Sequence, residues 1–181
     1  MILLILGVLL WSAAHLFKRL APGVREPMGE KGKGPVALAI VASIVLMIIG
    51  YRMADGAFFW GRTPMMTGIN NLLMLIVVYI FAADGMKTRA KGWLRNPQLT
   101  AFKLWAVAHL LVNGDVESFV LFGGLLAWAV VEVILLNRAN PRPAPPPPAP
   151  MGKEIGAAVG AVAVFGVIAL IHSWLGYNPF G

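Results

Sequence analysis

Apolar residues in this chain do not recur at the three-to-four-residue spacing of a soluble amphipathic helix. They run on in long blocks separated by short polar stretches. Six blocks stand out, at about 1–20, 35–53, 65–83, 98–113, 117–136 and 154–176. Most come close to the roughly 17–25 residues that an apolar helix needs to cross a bilayer. At about 1.5 Å per residue the region 98–136 would cross nearly twice, and it divides at Asn113-Gly114-Asp115, a turn signal inside the run. The pattern predicts an all-α, polytopic membrane helix bundle with six transmembrane helices in a single domain, 1–181.

The basic residues test this division. Lys18, Arg19, Arg25, Lys31 and Lys33 follow the first block, Lys87, Arg89, Lys91, Arg95 and Lys103 follow the third, and Arg138, Arg142 and Lys153 follow the fifth. Only Arg52 and Arg62 lie in the second loop, and none lies in the fourth. Since Lys and Arg accumulate on the cytoplasmic side, the odd loops are placed inside and both termini outside. Merging the fourth and fifth blocks would destroy the alternation. The N-terminal block carries its positive charges after the apolar run, the reverse of a secretory signal peptide, and reads as a retained first helix.

Composition agrees with a membrane core. Charged residues make up 13% and hydrophobic ones 59%, where a soluble domain carries about 25% charged. Mean hydropathy is +0.76. The net charge of +7 sits in short loops, where it serves as a topology signal and contacts anionic lipid; no nucleic acid partner is expected. The chain has no cysteine. Disulfides, thiolate metal sites, iron–sulfur clusters and Cys nucleophiles are therefore excluded, leaving imidazole and Met thioether as the soft-metal ligands.

Two segments are structural on this reading. The loop 141–150 is rich in proline and favours polyproline II, a stiff cytoplasmic connector to the last helix. Gly156 and Gly160 place small residues at four-residue spacing, which lets helices approach closely in lipid. Gly123-Gly124 reads the same way, or as clearance for a flat cofactor.

The three histidines carry the chemical interest. His15, His109 and His172 all lie in or at the edge of apolar blocks, and ionisable groups within the membrane mark functional sites. Trp105, His109 and Asn113 are successively four apart and share one helix face, a stripe of aromatic, imidazole and amide. His15 follows Ser12-Ala13-Ala14, whose small side chains admit a helix or a planar macrocycle, although Lys18 and Arg19 also allow an interfacial position. His172 beside Trp174 resembles an aromatic-belt position. For His109 the plainer alternative is a hydrogen bond to a backbone carbonyl of a neighbouring helix.

Depth decides which two histidines share a metal. With helix edges at Ala21 and Lys103, His15 and His109 each lie about 9 Å inside the same face. Starting the fourth helix near Pro97 instead raises His109 towards His172. Asp115 either faces a cavity with Asn113 or caps the fifth helix. Glu132 is expected to snorkel or to pair with Arg138. No nucleophile–base pair, paired catalytic carboxylates or phosphate-binding glycine loop is present, which leaves hydrolase and nucleotide chemistry without support.

The stretch PQLTAFKLWAVAHLLVNGDVESFVLFGGLLAWAV, from Pro97 to Val130, resembles the core of the NnrU family of bacterial membrane proteins. His15 followed by Arg19 and Ala21-Pro22-Gly23, and Gly50-Tyr51 at the end of the second helix, are similar as well. The resemblance implies an inner-membrane (cytoplasmic-membrane) protein connected with denitrification. Zeta-carotene isomerase, a haem b enzyme, is similar to this family, and that similarity implies a haem-dependent, isomerase-like activity on an apolar polyene. By the resemblance, His15 and His109 are the haem iron ligands; the depth argument keeps His172 as the alternative ligand, and the residue pattern adds Trp105, Asn113 and Asp115 as candidate cofactor-site residues. Two departures matter. Asn96-Pro97 stands where members often have His-Pro, and Ala106 in a cysteine-free chain excludes the redox ligand switch of the isomerase. The alternative function is a non-enzymatic accessory or assembly factor with a respiratory-system protein partner and no cofactor of its own.

Overall fold

All six apolar blocks are helical in the computed structural model, which describes residues 1–142, 144, 147 and 149–181. The helices are α1 (Ile2–Leu20), α2 (Lys33–Arg52), α3 (Pro64–Met86), α4 (Pro97–Val112), α5 (Val116–Ala139) and α6 (Met151–Trp174). Their ends follow from local chemistry. Ala21, with φ −132°, leaves the helical region ahead of Pro22, whose ring disfavours helical backbone in the preceding residue. Thr63 is extended, and its Oγ1 accepts from Met66 N at 3.2 Å; Pro64 then opens α3 at a position where an N–H would have no partner. Pro97 opens α4 at the equivalent position, there without a side-chain cap.

Among the described residues, five helices are long and apolar enough to cross a membrane: α1, the stretch Gly29–Arg52 that includes α2, α3, α5 and α6. The fourth is shorter than the sequence pattern requires for an independent crossing. It has 16 residues, or about 24 Å against a hydrocarbon core of about 30 Å. Proline and the Asn113-Gly114 turn cut it at either end. Outward faces are apolar, with Leu38 70% and Leu170 71% exposed, as lipid-facing helices require. The polyproline II segment expected over 141–150 falls on Pro143, Pro145, Pro146 and Pro148, outside the described residues.

The chain forms two compact units, Met1–Trp60 with Gly114–Leu135, and Gly61–Asn113 with Leu136–Gly181. In the first, α1 lies along α2 at glycine contacts. A Cβ on Gly7 would meet Met47 N at 2.8 Å, and one on Gly50 would collide with Leu4 N. Gly124 of α5 sits under Val8, whose Cγ1 would lie 2.7 Å from an added Cβ. Two short strands complete the unit, β1 (Phe58–Trp60) and β2 (Gly114–Asp115), paired antiparallel with Phe58 opposite Asp115. This pairing was not foreseen, and it satisfies the backbone of the Asn113-Gly114-Asp115 turn.

The second unit packs α4 and α6 against α3. Its core is made of small residues, among them Ala101, Ala106, Ala108, Ala157 and Ala161, all buried. Small side chains let backbones approach, which is what drives helix association where lipid is as apolar as leucine. One polar end is tied by Lys91–Asp84 at 2.8 Å, Gln98 Nε2 donating to Asp84 at 2.8 Å and Arg89 N donating to Glu154 at 2.9 Å. Arg95 Nη2 donates to the carbonyls of Asn137 and Asn140.

Candidate functional site

Each imidazole is fixed by its own helix. Nδ1 lies 2.9 Å from Trp11 O in His15, 2.9 Å from Trp105 O in His109 and 2.8 Å from Ile168 O in His172. A carbonyl only accepts, so in the neutral ring Nδ1 carries the hydrogen and Nε2 keeps the lone pair. This is how metal-ligating histidines are commonly prepared: the backbone bond sets tautomer and orientation, and the other nitrogen is the ligand. The carbonyl in each case lies four residues earlier in the same helix, for His109 in place of the neighbouring-helix carbonyl of its plainer alternative.

His15 belongs to the first unit. Its ring centroid is 4.1 Å from Trp11 and 4.8 Å from Trp128, and the two indoles meet edge-on at 5.5 Å. One turn beyond, Arg19 Nε donates to Glu132 Oε1 at 2.6 Å. Glu132 is one turn beyond Trp128, so α1 offers Trp11, His15 and Arg19 at i, i+4 and i+8, matched on α5 by Trp128 and Glu132 at i and i+4. The expected pairing of Glu132 with Arg138 is thus incorrect. Arg138 is exposed, whereas Glu132 points inward, only 7% exposed, onto Arg19. A carboxylate removed from water takes the partner that can be buried with it.

His109 belongs to the second unit. Trp105 lies on the same face with its centroid 5.0 Å away, and Phe102 is 5.1 Å from Trp105. Asn113 completes the expected stripe, but its amide serves the helix end: Nδ2 donates to His109 O at 2.8 Å, and its backbone N reaches the same oxygen at 3.0 Å. His172 of α6 and Arg62 lie within electrostatic reach of His109. The structure therefore groups Trp105, His109, Asn113 and His172 in one unit, and places His15 and Asp115 in the other.

Asp115 caps α5. Its Oδ1 accepts from Ser118 N at 2.7 Å, satisfying one of the donors that a helix N-terminus leaves over. Beside it, Glu117 Oε2 accepts from Gly56 N at 3.2 Å, and Gly114 lies against the Trp60 ring so closely that a Cβ would collide with it. Sequence reasoning missed three features here. These are the Trp11–His15–Trp128 group, the Arg19–Glu132 pair, and a π-helical turn over Phe119–Gly123 next to the Tyr51 Oη–Ser118 Oγ bond of 2.9 Å. The first two had a signal in the four-residue spacing of Trp11, His15 and Arg19, repeated in Trp128 and Glu132.

Among the described residues no group of three or more His, Asp and Glu side chains converges as a metal site. A haem iron asks less of the chain, because the porphyrin supplies four of the six donors and the protein one or two imidazoles. Histidines with a directed Nε2 and an indole alongside fit that demand. Gly123 leaves open space around a would-be Cβ, whereas Gly124 is covered by Val8.

The family model described as NnrU protein matches residues 3–179. No curated protein and no solved structure matches the chain.

Proposed function

We propose that this chain, which belongs to the NnrU family, is a multi-pass protein of the bacterial inner membrane that holds haem b through membrane-embedded histidines. The observation that carries this reading is the common setting of the imidazoles, each with Nδ1 on a carbonyl of its own helix, which fixes the ring and makes Nε2 the nitrogen suited to a metal. His109 is the central ligand. The family resemblance names His15 as the other ligand, and Trp105, on the helix face of His109, serves as an aromatic wall. The second reading takes His172 as the partner, because it shares a unit with His109 and lies within electrostatic reach of it.

Six crossings with both termini outside suit this role. The alternation of basic loops supports them, and the sixteen-residue α4 crosses as part of the bundle, with the backbone of Gly114 and Asp115 that follow it paired to β1. Bound haem would supply an iron centre able to polarise a double bond or pass one electron. The chain's own part is to orient imidazole and to exclude water with the indole on the face of His109, Trp105. Its substrate is then an apolar polyene, or its place is in nitrogen-oxide respiration. The alternative, an accessory factor for a respiratory protein partner, needs no cofactor.

Absorption spectra of the protein purified in mild detergent, oxidised and dithionite-reduced, followed by a pyridine haemochrome assay, decide between these. Stoichiometric low-spin b-type haem is expected, lost in His109→Ala. Loss in His15→Ala with retention in His172→Ala selects the first pairing, and the reverse selects the second. A colourless protein from haem-supplemented cells would overturn the haem reading and leave the accessory one. In cells that make carotenoids, a changed isomer composition on expression separates an isomerase from an electron-transfer role.

A further inference from the structure

Strand β1 consists of three consecutive aromatic residues, and all of them are exposed. Phe58 is 69% exposed, Phe59 60% and Trp60 43%. We propose that this loop after α2 is a membrane-interface anchor, its rings seated between the lipid headgroups and the first carbons of the acyl chains. The inference rests on the chain lying in a bilayer and not on the haem reading.

Successive residues of a strand point to opposite faces, so a strand between a protein core and water alternates buried with exposed. β1 does not alternate. From Gly56 to Gly61 the chain carries no charged or polar side chain. Both faces of the strand are thus apolar, and neither is buried in the first unit. A medium that solvates rings on both sides is what such a strand requires, and the border of a bilayer is one.

The first unit holds the loop in this posture. β1 pairs with β2, Val116 N donates to Ala57 O at 3.1 Å, and Gly56 N donates to Glu117 Oε2 at 3.2 Å. Phe119, on the first turns of α5, supports Phe59 and Trp60 from behind, with ring centroids 5.8 and 5.3 Å away. The rings are therefore presented by a braced ribbon.

Depth follows from the same elements. β2 runs directly into Val116, the first residue of α5, and Met53 at the end of α2 is itself 70% exposed. The aromatic strand thus continues the apolar surface of two helices long enough to cross the membrane, at the level where they end. It does not belong deeper. Among the described residues the sheet has two strands, so β1 is paired along one edge only. Hydrocarbon does not tolerate an open edge, whereas at headgroup depth water reaches the backbone and the rings still reach lipid.

The chain has no cysteine, so a single nitroxide label is placed without background. The full chain is labelled at Phe58→Cys or Phe59→Cys and reconstituted in vesicles of phosphatidylcholine and phosphatidylglycerol. Val41→Cys, an exposed position in the middle of α2, is the hydrocarbon reference. Glu30→Cys, where the side chain is 85% exposed, is the aqueous one. Power-saturation EPR compares collision with oxygen, which concentrates in lipid, and with a nickel chelate, which stays in water. The oxygen-to-nickel ratio at both strand positions should lie several-fold above that of Glu30→Cys and below that of Val41→Cys. A ratio equal to the aqueous reference would place the rings in water, and one equal to the hydrocarbon reference would place them in the core. Protection from both reagents would mean that another protein covers them. Each of these outcomes overturns the proposal. A water-like ratio at Val41→Cys would overturn the bilayer setting itself, and the proposal with it. Labelling two neighbouring surface positions keeps the test decisive where one variant folds poorly.

Discussion

The two units prepare an imidazole in the same way and wall it in differently. His15 and His109 both rest Nδ1 on a carbonyl one turn back. In the first unit the ring is held between an indole of its own helix and Trp128 of α5, beside a buried ion pair that joins the same two helices. In the second unit Trp105 of the same helix lies against the His109 ring, and the residue one turn on, Asn113, closes the helix end. The first environment joins α1 and α5 across a hundred residues of sequence, whereas helical repeat already places Trp105 and Asn113 about His109 in the second. Substitutions should therefore disturb the fold more in the first unit and the ligand chemistry more in the second.

The largest difference is expected for the two tryptophans. Trp128 is 7% exposed, and truncating a buried Trp costs about 3–5 kcal/mol. Trp105 is half-buried, so Trp105→Ala should cost about half as much. Unfolding in mixed micelles, monitored by helical circular dichroism, measures both. Equal losses would erase the distinction between the units.

Next comes the ion pair. Arg19→Met leaves Glu132 buried without its cation, and breaking a buried pair costs about 3–5 kcal/mol. The Arg19 side chain is 30% exposed and that of Glu132 9%, so solvent screening lowers the expectation to about 2–3 kcal/mol. The double change Arg19→Met with Glu132→Leu should recover most of the loss, because apolar replacement of both partners is often neutral. A double variant as unstable as the single one would mean that the pair does more than compensate charge.

Helix contacts give a smaller contrast. Gly50 touches the backbone of Leu4, which cannot yield, whereas the neighbour of Gly156 is the end of the flexible Met86 side chain, with Cε 2.9 Å from an added Cβ. Gly50→Ala should cost about 1–3 kcal/mol by overpacking. Gly156→Ala should fall below about 1 kcal/mol, since a methionine rotates away readily. The same unfolding assay separates them.

These contrasts explain what was readable from the chain. Helix positions follow from apolar runs, and the stops at Pro22, Pro97 and Asn113 follow from backbone chemistry, so all six segments were legible. The stripe Trp105–His109–Asn113 was legible too, because four-residue spacing alone puts it on one face. The partner of Glu132 was not. Arg19 lies 113 positions away, and sequence offers the nearer Arg138 with equal chemistry. The β1–β2 pairing was hidden for the same reason, because strands of three and two residues carry no period of their own and exist only where two loops meet. Whether α4 crosses alone was obscured by its length, since 16 residues fall just under the roughly 17 that span a bilayer.

The smallest expected effect sits at Gly114, between two caps of opposite kind. On one side Asn113 Nδ2 closes the carbonyl end of α4; on the other Asp115 Oδ1 closes the N–H end of α5. An N-cap needs an acceptor, and Asp115→Asn keeps one, so it should lose only the charge–dipole part, about 0.3–1 kcal/mol. Asp115→Ala removes the acceptor and should cost about 1 kcal/mol in all. A C-terminal cap needs a donor, which Asn113→Asp replaces with a negative charge at the negative end of the helix dipole. The two exchanges of the same pair of residues should therefore be unequal, with Asn113→Asp the more destabilising. If Asp115→Asn instead abolished function while helix content and unfolding stayed at wild-type values, the carboxylate would be acting on a ligand and the cap would be secondary.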